Sequence, residues 1–419
     1  MDVPDAIQLM GEKQWEEIKS RLTGKFNKMM KGLFRQKGAQ LDINILASDE
    51  AQEFITTHAG ILDGGFQKVE MSDKMRERLT RSNYIFSGIK TFHELNEAFP
   101  SMLDENGNKK PFERFLNDVQ KINDTYNANY LHAEYNFVQA SATMAAKWEQ
   151  FSEDGDRYYL QYRTAKDDKV RPEHAALDGV TLPMSDSFWE TYYPPNGWNC
   201  RCTVVQVRKQ KYPATEHGEA MSRGEEAMNG ERYNIFRFNS GKQGKTMPDY
   251  NPYTIKRCND CDVAKGKLKL GFVPDYQLCQ GCIMIRKCNE DRNRDNSAKA
   301  TKKSPEVKKL QGTTISNPDF NHEVLITGGS IKEWTNQPHK EYAAKNSILK
   351  HIDKVFREAK YIGFIDNFKK KPGVKQSHLF ETNVLGELSW IIVREYEIGE
   401  FVLHSISDSD KIKTGIRKE

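Results

Sequence analysis

The sequence predicts an α+β multidomain protein: a helical N-terminal half with a small β-containing, loop-rich module, a zinc-ribbon-like knot, and a C-terminal α+β domain on an antiparallel four-stranded sheet. Three observations carry this expectation. Apolar residues recur at spacings of three and four between Pro111 and Phe151. All seven cysteines lie between Cys200 and Cys288. Beyond residue 360, four short apolar segments follow one another, separated by glycine and charged turns.

The chain has 419 residues, which suits two or three domains. Hydrophobic residues make up 37% and the mean hydropathy is −0.77, enough for real cores in a polar, helix-rich protein. The formal net charge of +4 excludes a global field committed to nucleic acid, so basic runs are weighed locally. No apolar run approaches the roughly 18 residues of a membrane span, and no membrane partner is expected. The start, MDVPDAIQLMGEKQWEEIK, has no basic segment followed by an apolar core, so no signal peptide is expected.

Residues 1–206 are expected to be helical and to end in the small β module. Pro111 suits a first helical position, and Phe112, Phe115, Leu116, Val119, Ile122 and Tyr126 form one apolar stripe, with a break expected near 127–129. YYLQYRT (158–164) and TVVQVRK (203–209) alternate like strands. Residues 207–257 read as a polar connector, 258–288 as a Cys-rich knuckle and 289–320 as a flexible basic linker. Across 286–309, nine Lys or Arg stand against four Asp or Glu with almost no apolar residue to offset ordering entropy. In the last domain, 321–412, HEVLITG suggests a short strand. A helix follows with Ile348, Ile352, Val355 and Phe356 on one side, then YIGFID, SHLFETNVLG, LSWIIVREYE and EFVLHSISD as strands.

Two constellations suggest metal chemistry. Cys258-x2-Cys261 and Cys279-x2-Cys282 are separated by 17 residues, a spacing that reads as a four-thiolate zinc site. Such a closed site leaves no open position, so the expected Zn2+ is structural, and Cys288 either replaces a ligand or stays free. His174, Cys200 and Cys202 form a second group, with Asp178 as a candidate fourth ligand. The same residues could instead brace a loop by hydrogen bonds and packing, or supply a Cys/His catalytic dyad. Residue types alone leave these three readings open.

The string RTAKDDKVRPEHAALDGVTLPMSDSFWETYYPPNGWNCRC resembles the core of the phage Mu F-like minor head proteins. The matching positions begin with Arg163, Arg171 and the H-x-x-L-D-G block formed by His174, Leu177, Asp178 and Gly179. Trp189 and the turn Pro194, Pro195, Asn196 and Gly197 follow, and then Cys200 and Cys202. The likeness covers about residues 80–206. It implies a phage or prophage head-morphogenesis protein of the virion, made in the host cytoplasm, with portal and capsid proteins as partners and phage DNA nearby. It also favours metal at His174, Cys200 and Cys202, without supplying a fourth ligand.

The helix-then-sheet tail, with His339, His378 and Ser405, is similar to phage-associated nucleases of the barnase, EndoU, colicin and RelE-like superfamily. That resemblance implies metal-independent cleavage of RNA. His378 would be the general acid or base, His339 its partner or a phosphate ligand, Lys375 a source of charge and Ser405 a phosphate hydrogen-bond donor. Two further readings make the chain a particle-delivered RNase toxin, or a DNA-packaging adaptor working through the Cys knot and basic linker with an inactive tail.

Overall fold

The computed structural model describes residues 12–257, 279–337, 342–367, 370–384 and 387–417. It divides into two compact units, Met1–Asn289 and Glu290–Glu419.

The first unit opens with α1 (Glu12–Phe34), α2 (Asp49–Gly64) and α3 (Asp73–Ala98). Ser48 and Ser72 cap α2 and α3, each side chain accepting from the backbone N–H three residues on. Next come α4 (Phe112–Asn123) and α5 (Leu131–Asp154). Pro111 is the cap before α4 rather than its first residue. The expected break near 127–129 is instead a π-helical turn over Asp124–Tyr130 that joins the two helices and buries Tyr126 and Asn127. The wider turn absorbs the phase slip between the two apolar stripes without interrupting the helix. Phe26, Phe54, Phe115, Leu131 and Val138 close the core, each worth about 1.5–3 kcal/mol of burial.

That core also holds charge. On α3, Lys90 Nζ donates to Glu134 Oε2 at 2.6 Å and to the Tyr126 carbonyl at 2.7 Å, and lies 3.1 Å from His58 Nε2. Tyr253 OH donates to the other Glu134 oxygen. Three partners around one ammonium make this buried ion pair tolerable.

The β module is a three-stranded antiparallel sheet of order β2-β1-β3: β1 (Tyr159–Arg163), β2 (Thr181–Pro183) and β3 (Thr203–Val207). Between the strands lie two single turns, α6 (Pro172–Ala175) and α7 (Phe188–Thr191). The stretch read as a polar connector is packed structure, with α8 (His217–Ala227), α9 (Ser240–Gln243) and α10 (Pro252–Arg257). Its buried Met228, Phe236, Phe238 and Tyr253 are spaced irregularly, so no periodicity announced them.

The segment expected to be a flexible tether is helical. It forms α11 (Gln280–Lys303) and α12 (Pro305–Lys309). Within the second unit, Ala298 and Thr301 are buried, and Asn346 donates to Ser297. A few small side chains turned inward suffice to dock a helix whose charges face solvent.

The second unit corrects the expected four-stranded antiparallel sheet. Six strands run in the order β4-β5-β9-β8-β7-β6, and β5 and β9 are parallel. They are β4 (Thr314–Asn317), β5 (Phe320–Leu325), β6 (Lys360–Asp366), β7 (Val374–Val384), β8 (Glu387–Tyr396) and β9 (Phe401–Ser407). Of the hairpin of β4 and β5, β5 overlaps the short strand expected at HEVLITG, whereas β4, half of it exposed, was hidden. The helices α13 (Gly328–Asn336), α14 (Tyr342–Ile348) and α15 (Ile352–Glu358) supply Trp334, Ile348 and Phe356, which share a core with Phe380, Ile391 and Val393 of the sheet. Among the described residues no helix is long and apolar enough to cross a membrane.

Candidate functional site

His174, Cys200 and Cys202 meet in the β module. Arg171 caps α6, Pro172 sets its first turn, and His174 projects from that turn. The loop 196–202 returns beside it. Asn199 adopts φ +57° and its side chain accepts from Asn136 Nδ2 at 3.0 Å, while Tyr162 OH donates to Asn196 at 2.8 Å. At Gly197 a Cβ would lie 3.0 Å from Arg171 Nη1 and 3.6 Å from His174 Cε1, so a larger residue would press on the Arg171 guanidinium. Arg171 Nη2 donates to the Trp198 carbonyl at 2.6 Å. Trp198 itself is clamped between Phe137 and Phe236.

His174 Nδ1 stands 3.6 Å from Cys200 Sγ and 3.8 Å from Cys202 Sγ, and all three ligand atoms lie within 4.8 Å of one another. Zn–N and Zn–S bonds of about 2.0 and 2.3 Å place N and S about 3.6 Å apart around a tetrahedral ion, so the donor set fits. All three residues are buried. A hydrogen bond from Cys202 holds the Cys200 thiol well below its ordinary range, against burial and with help from His174. The same bond, with burial, pushes Cys202 up. One thiolate is thus favoured within the pair before any ion enters.

Asp178 is not the fourth ligand. Its Oδ1 accepts from Thr164 N at 2.8 Å and from Thr164 Oγ1 at 3.1 Å, tying α6 to the end of β1. The neighbouring Asp167 is held by Arg201 through two bonds of 2.7 Å. A cavity of about 20 Å³, lined by Lys169, Arg171 and Arg201 besides the three ligands, leaves room for a water or an ion. His174 Nε2 is buried without a hydrogen-bond partner in the structure, so the usual outer partner of a ligating imidazole is missing among the described residues.

The Cys knot is only partly described. Cys258 and Cys261 lie outside the described residues. Cys279 and Cys282 flank the first turn of α11 with their sulfurs 3.6 Å apart, a separation two thiolates on one ion would also adopt.

In the second unit His339 lies outside the described residues. His378 is 1% exposed, with Tyr361 OH 2.9 Å from Nδ1 and Glu395 Oε2 3.0 Å from Nε2. Lys375 Nζ donates to Glu395 Oε1 at 2.6 Å, reaching it across a bulge between Val374 and Gln376. Burial raises Glu395, but hydrogen bonds from Lys375, His378 and Gln376 outweigh it and leave the carboxyl below its ordinary value. Ser405 is not brought to His378. It pairs with Ile392, which pairs with Leu379, so it lies on the opposite sheet face. Sequence reasoning missed Tyr361 and Glu395, because only strand register brings them to the imidazole.

A family model described as phage Mu protein F like protein matches residues 106–205, and one described as large polyvalent protein-associated domain 3 matches 293–403. The putative capsid assembly protein F of Escherichia phage Mu is 30% identical over 327 residues, covering 72% of this chain and 68% of that protein. The chain belongs to the phage Mu F-like family. The Mu-like prophage FluMu F protein of Haemophilus influenzae is 30% identical over 198 residues, covering 46% of this chain and 42% of that one. No solved structure matches significantly. His174, Cys200 and Cys202 lie within the Mu F-like match. The second match covers α11 from residue 293 and the sheet as far as β9, where the resemblance had suggested a nuclease.

Proposed function

We propose that this Mu F-like protein is a capsid assembly protein of a Mu-like phage or prophage, resident in the virion, with portal and capsid proteins as partners and packaged DNA nearby. The observation that carries the reading is the alignment with the capsid assembly protein of phage Mu over most of both chains. Within it, His174, Cys200 and Cys202 would hold a structural Zn2+ that locks the loop 196–202 onto α6. Deleting the gene from an inducible prophage tests the assembly role. The expected outcome is loss of filled heads by electron microscopy, and the protein should be found in purified wild-type particles. Normal heads after deletion would refute it.

A second reading, metal-independent ribonuclease activity of the last domain, is favoured by the chain Tyr361–His378–Glu395–Lys375. His378 would take the 2′-hydroxyl proton, with Lys375 next to the phosphate. Cleavage of RNA by the full chain in EDTA, lost in His378→Ala, would support it. Intact tRNA, ribosomal and messenger substrates would leave the cluster a buried hydrogen-bond network.

A further inference from the structure

A concavity in the first unit belongs neither to the metal cluster nor to the His378 network. It has a volume of about 220 Å³ and lies along α3, the loop 243–251 and the start of α11. Its floor is apolar, formed by Ile85, Phe86, Ile89, Met247 and Pro248. Arg78, Arg81, Lys245, Arg286 and one carboxylate, Asp249, line it as well.

The walls are held in place by short-range packing. Gly88 lets α11 approach α3 so closely that a Cβ there would stand 2.5 Å from Ile285 Cγ2, and this contact sets the neighbouring Arg286 over the opening. Ser82 Oγ accepts from Thr246 N at 3.2 Å and fixes the loop. Gly244, at φ +60°, gives way to the Arg78 guanidinium, which donates to the Gln243 carbonyl at 2.7 Å. Asp249 accepts from Lys245 and stands 3.7 Å from Arg286 Nη2. One carboxylate is therefore shared between two cations, and Arg286 Nε is buried with no hydrogen-bond partner in the structure. An enclosed guanidinium left this poorly matched favours a second anion.

We propose that this pocket binds an acidic peptide segment of a partner protein, with an apolar side chain on the floor and a flanking carboxylate at Arg286. The size suits one anchor side chain rather than a whole small ligand, since such sites usually run to about 300–1,000 Å³. Nucleic acid is the less favoured occupant. Phosphate backbones are tracked by extended basic grooves, whereas here the cations ring one concavity with an apolar base.

The test is calorimetric titration of the full chain with a capped aspartate–phenylalanine–aspartate tripeptide, its asparagine–phenylalanine–asparagine counterpart and a twelve-nucleotide single strand. The acidic peptide is expected to bind about tenfold or more tighter than the neutral one, as charged hydrogen bonds require. Arg286→Gln should weaken it about tenfold. Ile85→Trp, which fills the floor from a half-buried position, should abolish binding while thermal unfolding stays unchanged. Equal binding of both peptides, no binding of either, binding that survives Ile85→Trp, or displacement of the peptide by the oligonucleotide would each overturn the proposal.

Discussion

At the scale of single residues, two buried places carry unusual chemistry. His174, Cys200 and Cys202 have ligand geometry without a committed fourth partner. His174→Ala is expected to lose one equivalent of zinc by elemental analysis and to lower the unfolding temperature, whereas Asp178→Asn should retain the metal. Loss of no metal in His174→Ala would return the cluster to a hydrogen-bonded loop brace. In the helical core, burial raises Glu94 from 4.5 to about 8, only partly opposed by Lys90. The folded state therefore holds a proton that the unfolded chain releases near 4.5. Its stabilising contribution is full below that value and is lost as pH rises toward 8. Glu94→Gln should thus raise the unfolding temperature at pH 8 and change it little at pH 4. Lys90→Met removes one partner of a buried pair and should cost about 3–5 kcal/mol in denaturant unfolding, because Glu134 is left charged and enclosed.

Elements meet where side chains are small. Gly88 on α3 receives Ile285 of α11, and Gly281 of α11 receives Phe92, whose ring would lie 2.9 Å from a Cβ. Gly88→Val should cost about 1–3 kcal/mol through overpacking. Adding Ile285→Ala should recover part of that loss, a coupling that a double-mutant cycle reads directly. The apolar spacing was legible along α4 and α5, because each helix buries one stripe. The charged α11 was not, since its docking rests on a few inward residues such as Ile285 and Ala298 amid many lysines and arginines. The π-helical turn was legible in its place, near 127–129, but not in its kind, for its signature is a change of phase rather than a breaker.

For the whole molecule, the second unit comprises the six-stranded sheet with its covering helices, not the four strands visible by alternation. A segment of residues 290–419 should therefore fold cooperatively by circular dichroism and melting. A segment of 358–409 should not, because Val324, Trp334, Ile352 and Phe356 would be missing from its core. The sequence by itself determined the helical first half, the strands β6 to β9, and the grouping of His174 with Cys200 and Cys202 within one module. Those features rest on local periodicity and short chemical spacing, which survive whatever the chain packs against. Only the tertiary structure decided that Asp178 turns to Thr164, that Ser405 faces away from His378, and that Tyr361 and Glu395 close on its imidazole. It also decided that four cations converge on one apolar floor. Each of these depends on strand register or helix–helix approach, and both are set by contacts between residues far apart in the chain, where no local pattern records them.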